Sequence, residues 1–427
     1  MKIAIIGYGV EGRSSLNWMQ RHHPEAQIVI FDQNTIEDIP DGVEFQHVAD
    51  FMTQDFSSYD MLIRSPGIRP DAINAPPDKI TSITKIFCDR CPAPIIGVTG
   101  TKGKGTTCSF IYEILIAAGL RAHLVGNIGV PALDVLDDVQ PDDVVVYEMS
   151  NFQLFDMHRS PHIAVVIHLE IDHQDFHDTP IEYFDAKKNI ARYQKSEDTL
   201  IYDGRNPIDL EFAAVSKAAH KVPYPITTST EGFTREEMDE LVGHIVIPGE
   251  HNRWNAEAAV LAASQYTQDR DAIRKGLANF TGLPHRLKFV REINGIRYYD
   301  DSISTTVGSA IAAMKAFAPP VTLILGGASK GVNFDSLARS VNDHSVHHVV
   351  LIGPEGTTRI KAALIAAGYN RYSELPTYTM TDVVAEANKH TTEGGVVVLS
   401  PACSSFDAFA NYSERGEQFV AAVDALS

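Results

Sequence analysis

The segment Ile95-Ile96-Gly97-Val98-Thr99-Gly100-Thr101-Lys102-Gly103-Lys104-Gly105-Thr106-Thr107 decides the fold. An apolar run enters a glycine-rich turn, and the apolar residues after the turn have helical spacing. This order of strand, loop and helix is typical of a phosphate-binding loop, in which backbone N–H groups and a lysine surround phosphate oxygens. We therefore predict an ATP site with Lys104 at the terminal phosphates. The alternative is a glycine-rich turn that binds nothing.

The magnesium ligands of such a site are hydroxyl and carboxylate oxygens. A phosphate loop normally has Ser or Thr directly after its lysine, but Gly105 occupies that position here. Thr106 or Thr107 must then supply the hydroxyl, and we favour Thr106. Glu148 follows a second apolar run and is the expected carboxylate, unless it is simply a solvated acid at a strand end.

A second glycine loop, Gly7-Tyr8-Gly9-Val10-Glu11-Gly12, follows the first apolar strand, and Asp32 ends the next strand. This pattern is typical of dinucleotide binding, with the acid on a ribose hydroxyl. Alone it would predict an oxidoreductase, although any pyrophosphate suits the same loop. The presence of two phosphate loops favours a nucleotide-linked substrate on the first and ATP on the second.

Composition narrows the class of protein. A chain of 427 residues suggests two to three domains. The net charge of -19, with no run of Lys or Arg, argues against nucleic acid and anionic membranes as partners. No apolar stretch approaches about 18 residues, and the four cysteines do not suggest a disulfide framework. We therefore expect a cytoplasmic protein.

Apolar strands alternate with helical patterns along the whole chain, which predicts an α/β fold. We expect a Rossmann-like first domain, a central ATPase-like domain with a parallel or mixed sheet, and a Rossmann-like last domain. The predicted boundaries are 1–90, 91–282 and 283–427.

A helix is predicted over Ile181–Tyr193, with Ile181, Phe184 and Ile190 facing the core. Lys187 lies in this helix, and the pattern alone gives it no function beyond that of a surface lysine. The loop before the helix is dense in histidine and carboxylate, including His173, and this suggests a second metal site.

Nine motifs together resemble the Mur ligase family, whose members are ATP-dependent amide ligases of peptidoglycan precursor synthesis. The resemblance covers nearly the whole chain, and the motifs stand in family order. They are Gly100-Thr-Lys-Gly-Lys104, Glu148-Met-Ser-Asn-Phe-Gln153-Leu, Asp172-His173, Tyr183-Phe-Asp-Ala-Lys187, Gly249-Glu-His-Asn252-Arg-Trp-Asn255, Leu-Pro-His285-Arg286, Asp301-Ser-Ile-Ser-Thr305, Leu-Gly-Gly-Ala-Ser-Lys330-Gly and Ser-Pro-Ala-Cys-Ser-Ser405-Phe406-Asp.

The resemblance implies an activity and its reactants. A glutamate, in the D form, is joined to UDP-N-acetylmuramoyl-L-alanine through an acyl phosphate, at the expense of ATP and with two Mg²⁺ ions. It further implies a monomer whose last domain closes over ATP and brings the amino acid. A sister ligase that adds L-glutamate or another amino acid remains an alternative, as does the oxidoreductase.

The resemblance also implies roles for individual residues. The catalytic positions are Lys104, Lys187, His173 and Arg286. ATP is expected at Gly100, Thr101, Lys102, Gly103, Lys104, Gly105, Thr106, Asn252, Asn255, Arg286 and Asp301. The UDP substrate is expected at Gly7, Tyr8, Gly9, Val10, Asp32, Ser65, Asn127, Ser150 and Gln153. The amino acid is expected at Thr305, Lys330, Ser405, Phe406 and Tyr412. The metal positions are Thr106, Glu148, His173 and Lys187, the last as a carbamylated lysine.

Four positions depart from the family pattern. Gly105 stands where Ser or Thr is common, and His168 stands where Asn is common. Ile303 stands where many members have a lysine, and Lys102 stands where Asn is common. We hypothesise that Lys102 partly replaces the missing positive charge.

Overall fold

The computed structural model describes residues 1–170, 176–329 and 331–426. Three separate sheets carry these residues, in agreement with the predicted α/β class. By internal packing the chain divides into two compact units, one of Met1–His244 with Trp254–Asn279 and the other of Ile245–Arg253 with Phe280–Ser427. Each unit is described by itself.

The first sheet of the first unit is parallel and has the order β3-β2-β1-β4-β5. This order places the loops after β1 and β4 side by side at the carboxyl edge, where ligands bind in open α/β sheets. The elements are β1 (Lys2–Ile6), α1 (Val10–His22), β2 (Gln27–Asp32), β3 (Glu44–His47), β4 (Met61–Arg64), β5 (Ile80–Ser82) and α2 (Ile83–Arg90).

The central sheet has the order β11-β10-β9-β6-β8-β7, and every neighbouring pair is parallel. Its inner strands are continuous apolar runs, as expected for strands covered on both faces. The strands are β6 (Ile95–Thr99), β7 (Ala122–Gly126), β8 (Val144–Glu148), β9 (Ile163–Val166), β10 (Thr199–Asp203) and β11 (His220–Tyr224). The helices are α3 (Lys104–Ala117), α4 (Ala132–Val135), α5 (Asn151–Leu154), α6 (Pro180–Arg192), α7 (Pro207–Val215), α8 (Arg235–Val242), α9 (Glu250–Ala263) and α10 (Arg270–Asn279).

One continuous core joins the first and central sheets. It contains Ile5 and Phe87 from the first sheet region together with Tyr147 and Val166 from the central sheet. The rings of Phe87 and Tyr147 meet edge to face, with their centroids 5.6 Å apart. The Tyr147 hydroxyl also donates to Thr84 Oγ1 at 3.0 Å, so the two sheets share both apolar and polar contacts.

The sheet of the second unit has the order β12-β13-β17-β14-β15-β16. Only the edge pair β12 and β13 is antiparallel among the pairs described. The strands are β12 (Lys288–Ile293), β13 (Ile296–Asp300), β14 (Val321–Gly326), β15 (His348–Ile352), β16 (Tyr372–Leu375) and β17 (Val396–Leu399). The helices are α11 (Val307–Lys315), α12 (Asp335–Asp343), α13 (Pro354–Ala366), α14 (Met380–Lys389) and α15 (Tyr412–Asp424).

The predicted orientation of α6 was wrong at its first turn. Ile181 is 79% exposed, whereas Ile190 is fully buried as expected. Thr179 caps the helix by accepting from the Glu182 backbone N–H, and Pro180 is the first helical residue. The helix therefore begins with its first apolar residue on the solvent side.

The packing of α10 on α3 gives a stability prediction. A Cβ at Gly276 would lie 2.4 Å from Ile114 Cα, so the two backbones leave no room for a side chain. We expect Gly276→Ala to lower the free energy of unfolding by about 1–3 kcal/mol, since overpacking forces the helices apart. Urea unfolding followed by circular dichroism measures the change.

The matched control is Gly308→Ala in α11, where a Cβ would meet nothing within 4 Å. There the better helix propensity of alanine should leave stability unchanged or raise it by up to about 1 kcal/mol. Equal effects of the two substitutions would contradict the packing argument.

Candidate active site

The phosphate loop lies between the end of β6 at Thr99 and the start of α3 at Lys104. Gly103, just before the helix, has φ +87°, a value that favours glycine. A Cβ at this position would lie 2.6 Å from Asn255 Oδ1. Asn255, predicted on the ATP side, is thus placed directly against the loop.

Two lysines converge on one carbonyl oxygen of this loop. Lys104 Nζ donates to the carbonyl oxygens of Gly100 and Thr101, at 3.1 Å each. Lys187 Nζ donates to the same Gly100 oxygen at 2.8 Å, and its residue is only 1% exposed. The helix prediction alone treated Lys187 as a surface lysine, because sequence spacing does not reveal which neighbours cover a side chain. Two ammonium groups on one oxygen repel each other unless an anion joins them or one of them loses its charge.

Thr101 ties the loop to the segment that follows β9. Its backbone N–H donates to His168 O at 2.9 Å, and its hydroxyl donates to Glu170 O at 2.9 Å. The Tyr183 hydroxyl lies 2.9 Å from the same Thr101 oxygen. Because Tyr183 is one helical turn before Lys187, these bonds fix the loop and α6 together.

The candidate metal ligands are only partly described. Glu148 is buried at the end of β8, in the predicted position. Thr106 is 5% exposed, and Thr107 Oγ1 is buried with no hydrogen-bond partner among the described residues. His173 lies outside the described residues. Within 1–170, 176–329 and 331–426, no group of three or more His, Cys, Asp or Glu could hold a metal ion.

The first glycine loop is held by side chains at its own sheet edge. Ser65 Oγ donates to Gly7 O at 2.9 Å. Asp32 accepts from the Tyr8 backbone N–H at 2.6 Å through one oxygen and from Asn34 N–H at 2.8 Å through the other. Asp32 therefore holds the glycine loop in place. The sequence pattern predicted only that Asp32 binds a ribose hydroxyl.

The other predicted UDP-substrate residues differ in exposure. Val10 is 72% exposed, and Gly9 and Asn127 are also exposed. Ser150 and Gln153 are buried and form a capping box at the start of α5. They thus shape the turn after Glu148, and their role toward a substrate stays a prediction.

Sequence reasoning missed Arg64, the last residue of β4. Its guanidinium is buried, donates to the carbonyl oxygens of Pro66 and Ile68, and pairs with Asp156 at 2.5 Å. Lys85 binds the other oxygen of Asp156 at 2.7 Å. An arginine ending an apolar strand was the available signal, because a buried charge must have partners.

The second unit places predicted ATP-side residues just before β12, at Arg286, and directly after β13, at Asp301. Asp301 accepts from Leu287 N–H at 3.1 Å and from Ser400 Oγ at 2.8 Å, and burial raises its pKa to about 7. His285 Nδ1 lies 2.7 Å from Asp300 Oδ2. Arg286, next to His285, is exposed.

Arg415 is a buried arginine that the sequence did not single out, and it bonds to residues close to three of the candidate amino-acid positions. Arg415 donates to Ser302 O at 2.8 Å and to Cys403 O at 3.2 Å. Ser302 Oγ in turn donates to Tyr412 O at 2.7 Å. Arg415 therefore fixes the loops that carry Thr305, Ser405 and Tyr412, while Phe406 is 67% exposed.

The other two predicted residues of the second unit are Asn252 and Lys330. Asn252 Nδ2 donates to Pro248 O at 2.6 Å, which anchors the start of α9. Lys330 lies outside the described residues. Its neighbour Gly331 accepts from Arg359 at 3.0 Å, and Ser329 N–H donates to Glu355 at 3.1 Å, so α13 holds both flanks.

Lys102 gives a prediction about ATP affinity. Its Nζ lies 2.5 Å from Glu170 Oε1, in a pair open to solvent. Such surface pairs contribute little, so the charge remains able to reach an anion. We expect Lys102→Asn to raise the KM for ATP several-fold, on the order of 1 kcal/mol in binding, with little change in kcat.

The control for this prediction is Lys195→Asn, which removes a charge that is 77% exposed and far along the chain from the loop. It should leave the KM for ATP unchanged. If the KM for ATP were also unchanged in Lys102→Asn, the hypothesis that Lys102 replaces the missing positive charge would be wrong.

The central sheet is all-parallel and its glycine-rich loop lies between the end of β6 and the start of α3, which is the arrangement of the P-loop fold. Residues 98–263 match the Mur ligase middle domain, and residues 285–403 match the Mur ligase, glutamate ligase domain. The chain belongs to the Mur ligase family. This confirms the resemblance that the nine motifs indicated.

Relatives match the chain from end to end. The UDP-N-acetylmuramoylalanine--D-glutamate ligase of Acetivibrio thermocellus is 35% identical, over 100% of this chain and 96% of the relative. The enzyme of the same name from Symbiobacterium thermophilum is 36% identical, over 87% of this chain and 85% of the relative.

Solved structures confirm the fold class. The UDP-N-acetylmuramate-alanine ligase MurC of Thermotoga maritima superposes with a TM-score of 0.62 at 16% identity, covering 100% of this chain and 99% of that one. The MurF ligase of Thermotoga maritima in complex with ADP superposes with a TM-score of 0.59 at 14% identity, covering 98% of this chain and 93% of that one. At these identities the likeness concerns the fold alone.

Proposed function

We propose that this chain is an ATP-dependent ligase that joins D-glutamate to UDP-N-acetylmuramoyl-L-alanine in peptidoglycan precursor synthesis. The end-to-end match to relatives that bear this name supports the substrates. The observation that carries the chemistry is the convergence of Lys104 and Lys187 on the Gly100 carbonyl oxygen.

The reaction has two steps. The alanine carboxylate attacks the γ-phosphate of ATP, which releases ADP and leaves an acyl phosphate. The glutamate amine then attacks the acyl carbon, and phosphate leaves as the amide forms. Lys104 and the N-terminus of α3 stabilise the charge on the transferring phosphoryl group, since both are fixed before the reactants arrive.

The donor set suits magnesium. Glu148 and Thr106 offer the carboxylate and hydroxyl oxygens that Mg²⁺ prefers. The Thr107 hydroxyl, which has no hydrogen-bond partner in the described part of the chain, is the alternative to Thr106. We assign these residues, with His173 and a carbamylated Lys187, to two Mg²⁺ ions. When bound, the ions would neutralise charge on the phosphates.

We assign the UDP diphosphate to a loop of the first unit and the glutamate to loops of the second unit. The UDP diphosphate belongs on the glycine loop Gly7–Gly12, because Ser65 and Asp32 hold that loop in shape. In the second unit, the glutamate belongs to the loops that Arg415 fixes.

The setting of the reaction is also a proposal. In the three described ranges, no helix has the length and apolar character needed to cross a bilayer. We propose that the protein acts in the cytoplasm as a monomer.

The test measures phosphate release with ATP, Mg²⁺ and UDP-N-acetylmuramoyl-L-alanine. D-glutamate and L-glutamate are added in separate reactions. Release with D-glutamate alone is expected. Release with L-glutamate alone would support the same ligase reaction with a different amino acid. No phosphate release with either amino acid would contradict the proposed function.

A further inference from the structure

Glu11 is a carboxyl group that the proposed mechanism does not use. It is the second residue of α1 and lies within the glycine loop Gly7–Gly12, the end of which forms the first turn of that helix. Its Oε1 accepts from Gln153 Nε2 at 2.8 Å. Its Oε2 is buried and has no hydrogen-bond partner among the described residues. The group is therefore held inside the first unit with one oxygen unsatisfied.

The partner of Glu11 connects it to the strand that carries Glu148. Gln153 Oε1 accepts from the Ser150 backbone N–H at 2.9 Å, and Ser150 Oγ accepts from Gln153 N–H at 3.3 Å. Ser150 is two residues beyond Glu148. A continuous chain of hydrogen bonds thus runs from the Gly7–Gly12 glycine loop to the turn after β8.

The charges around Glu11 do not offset its burial. Arg64 faces it from β4, and the two terminal nitrogens of that guanidinium are bonded to Asp156 and to backbone carbonyls, while its Nε has no partner among the described residues. Tyr147 faces it from β8, and Arg13 on its own helix is turned to Asp38. Burial raises the pKa of Glu11 to about 7, although Gln153 and Arg64 act in the opposite direction.

A carboxylate at this position opposes the ligand that the loop is built for. The first N–H groups of a helix attract a diphosphate, whereas a negative charge in the same turn repels it. Protonation removes the repulsion. The unsatisfied oxygen then carries no charge, while the other oxygen still accepts from Gln153.

We propose that Glu11 is a positioning residue that takes up one proton from solvent when a nucleoside diphosphate substrate binds to the Gly7–Gly12 loop. This inference rests on the proposed function, which places that diphosphate on the loop. The neutral carboxylic acid then keeps the hydrogen bond to Gln153, so the loop and the turn after Glu148 hold their geometry with the substrate in place.

The sign of the pH dependence follows from linkage. The bound diphosphate favours the protonated form, so binding is tighter when Glu11 already carries its proton. Affinity should fall as the pH rises above the free-state pKa of about 7. The carboxylate of the substrate titrates near pH 3.5 and does not contribute in this range.

The experiment is calorimetric titration of the whole protein with UDP-N-acetylmuramoyl-L-alanine alone, at about pH 8, in two buffers of different ionisation enthalpy. The difference in heat gives the number of protons taken up. We expect a clear fraction of one proton for the unmodified protein and a value near zero for Glu11→Gln. Between about pH 6.5 and 8.5 the dissociation constant should rise about threefold to tenfold for the unmodified protein and stay flat in Glu11→Gln.

The matched control is Glu25→Gln, the same chemical change at an exposed position of the first unit, which should behave as the unmodified protein. A second variant, Gln153→Leu, removes a hydrogen bond that lowers the pKa of Glu11, so maximal proton uptake should move to higher pH.

Binding without proton uptake, or equal uptake in Glu11→Gln, would overturn the inference and leave the proposed function intact. An absence of binding by the unmodified protein would overturn the proposed function, and the inference with it.

Discussion

Replacing Lys104 by alanine is expected to lower kcat for phosphate release by about 10²- to 10³-fold, the usual cost of losing one fixed donor to a developing charge. In the structure, the Lys104 ammonium donates to the carbonyl oxygens of Gly100 and Thr101 at 3.1 Å, which holds it at the N-terminus of α3, where phosphate oxygens are expected. Steady-state phosphate release and direct ATP binding, measured together, separate the loss of catalysis from the loss of affinity.

The matched variant is Lys104→Arg, which keeps the positive charge but replaces the compact ammonium group with a planar guanidinium. It should bind ATP better than Lys104→Ala and still turn over slowly. If Lys104→Ala kept kcat within about threefold of the unmodified protein, the loop would not be the site of phosphoryl transfer.

Replacing Lys187 by methionine is expected to reduce phosphate release by about 10³-fold while leaving the fold intact. Methionine fills a similar volume beside the Tyr183 ring, where Lys187 Nζ now lies 4.8 Å from the ring centroid. The substitution thus removes the nitrogen without opening a cavity. Incubation with ¹³C-labelled bicarbonate should give a carbamate carbon signal by NMR in the unmodified protein only.

The neighbouring Lys188→Met provides the control. Lys188 lies in the same helix but pairs with Glu211 at 2.5 Å, so both activity and the carbamate signal should survive its loss. Activity lost in Lys187→Met with no carbamate signal in the unmodified protein would mean that Lys187 acts as an amine. Full activity of the Lys187→Met variant would show that Lys187 has no part in catalysis.

Much of the architecture could be predicted from the sequence, because long apolar runs and glycine loops act locally. The strand that ends at Asp32 and the strand formed by the apolar run before Glu148 lie where the sequence pattern indicated. The phosphate loop was recognisable because its glycines, lysine and following helix are contiguous.

The parts that escaped prediction depend on distant residues. The burial of Lys187 depends on the Gly100 carbonyl, 87 residues away, and the partner of Glu11 is 142 residues away. Neither spacing nor residue type predicts such pairs. Arg64 and Arg415 were missed for the same reason, since their partners become visible only when several loops are folded together.

The continuous core between the first and central sheets limits how this protein can be recombined. The contacts of Phe87 with Tyr147, and of Arg64 and Lys85 with Asp156, all cross from one sheet to the other. A first sheet transplanted from a distant relative would bring an unmatched apolar face and would leave the half-buried carboxylate of Asp156 without its two cationic partners. Productive chimeras should therefore exchange the first and central sheets together as one piece.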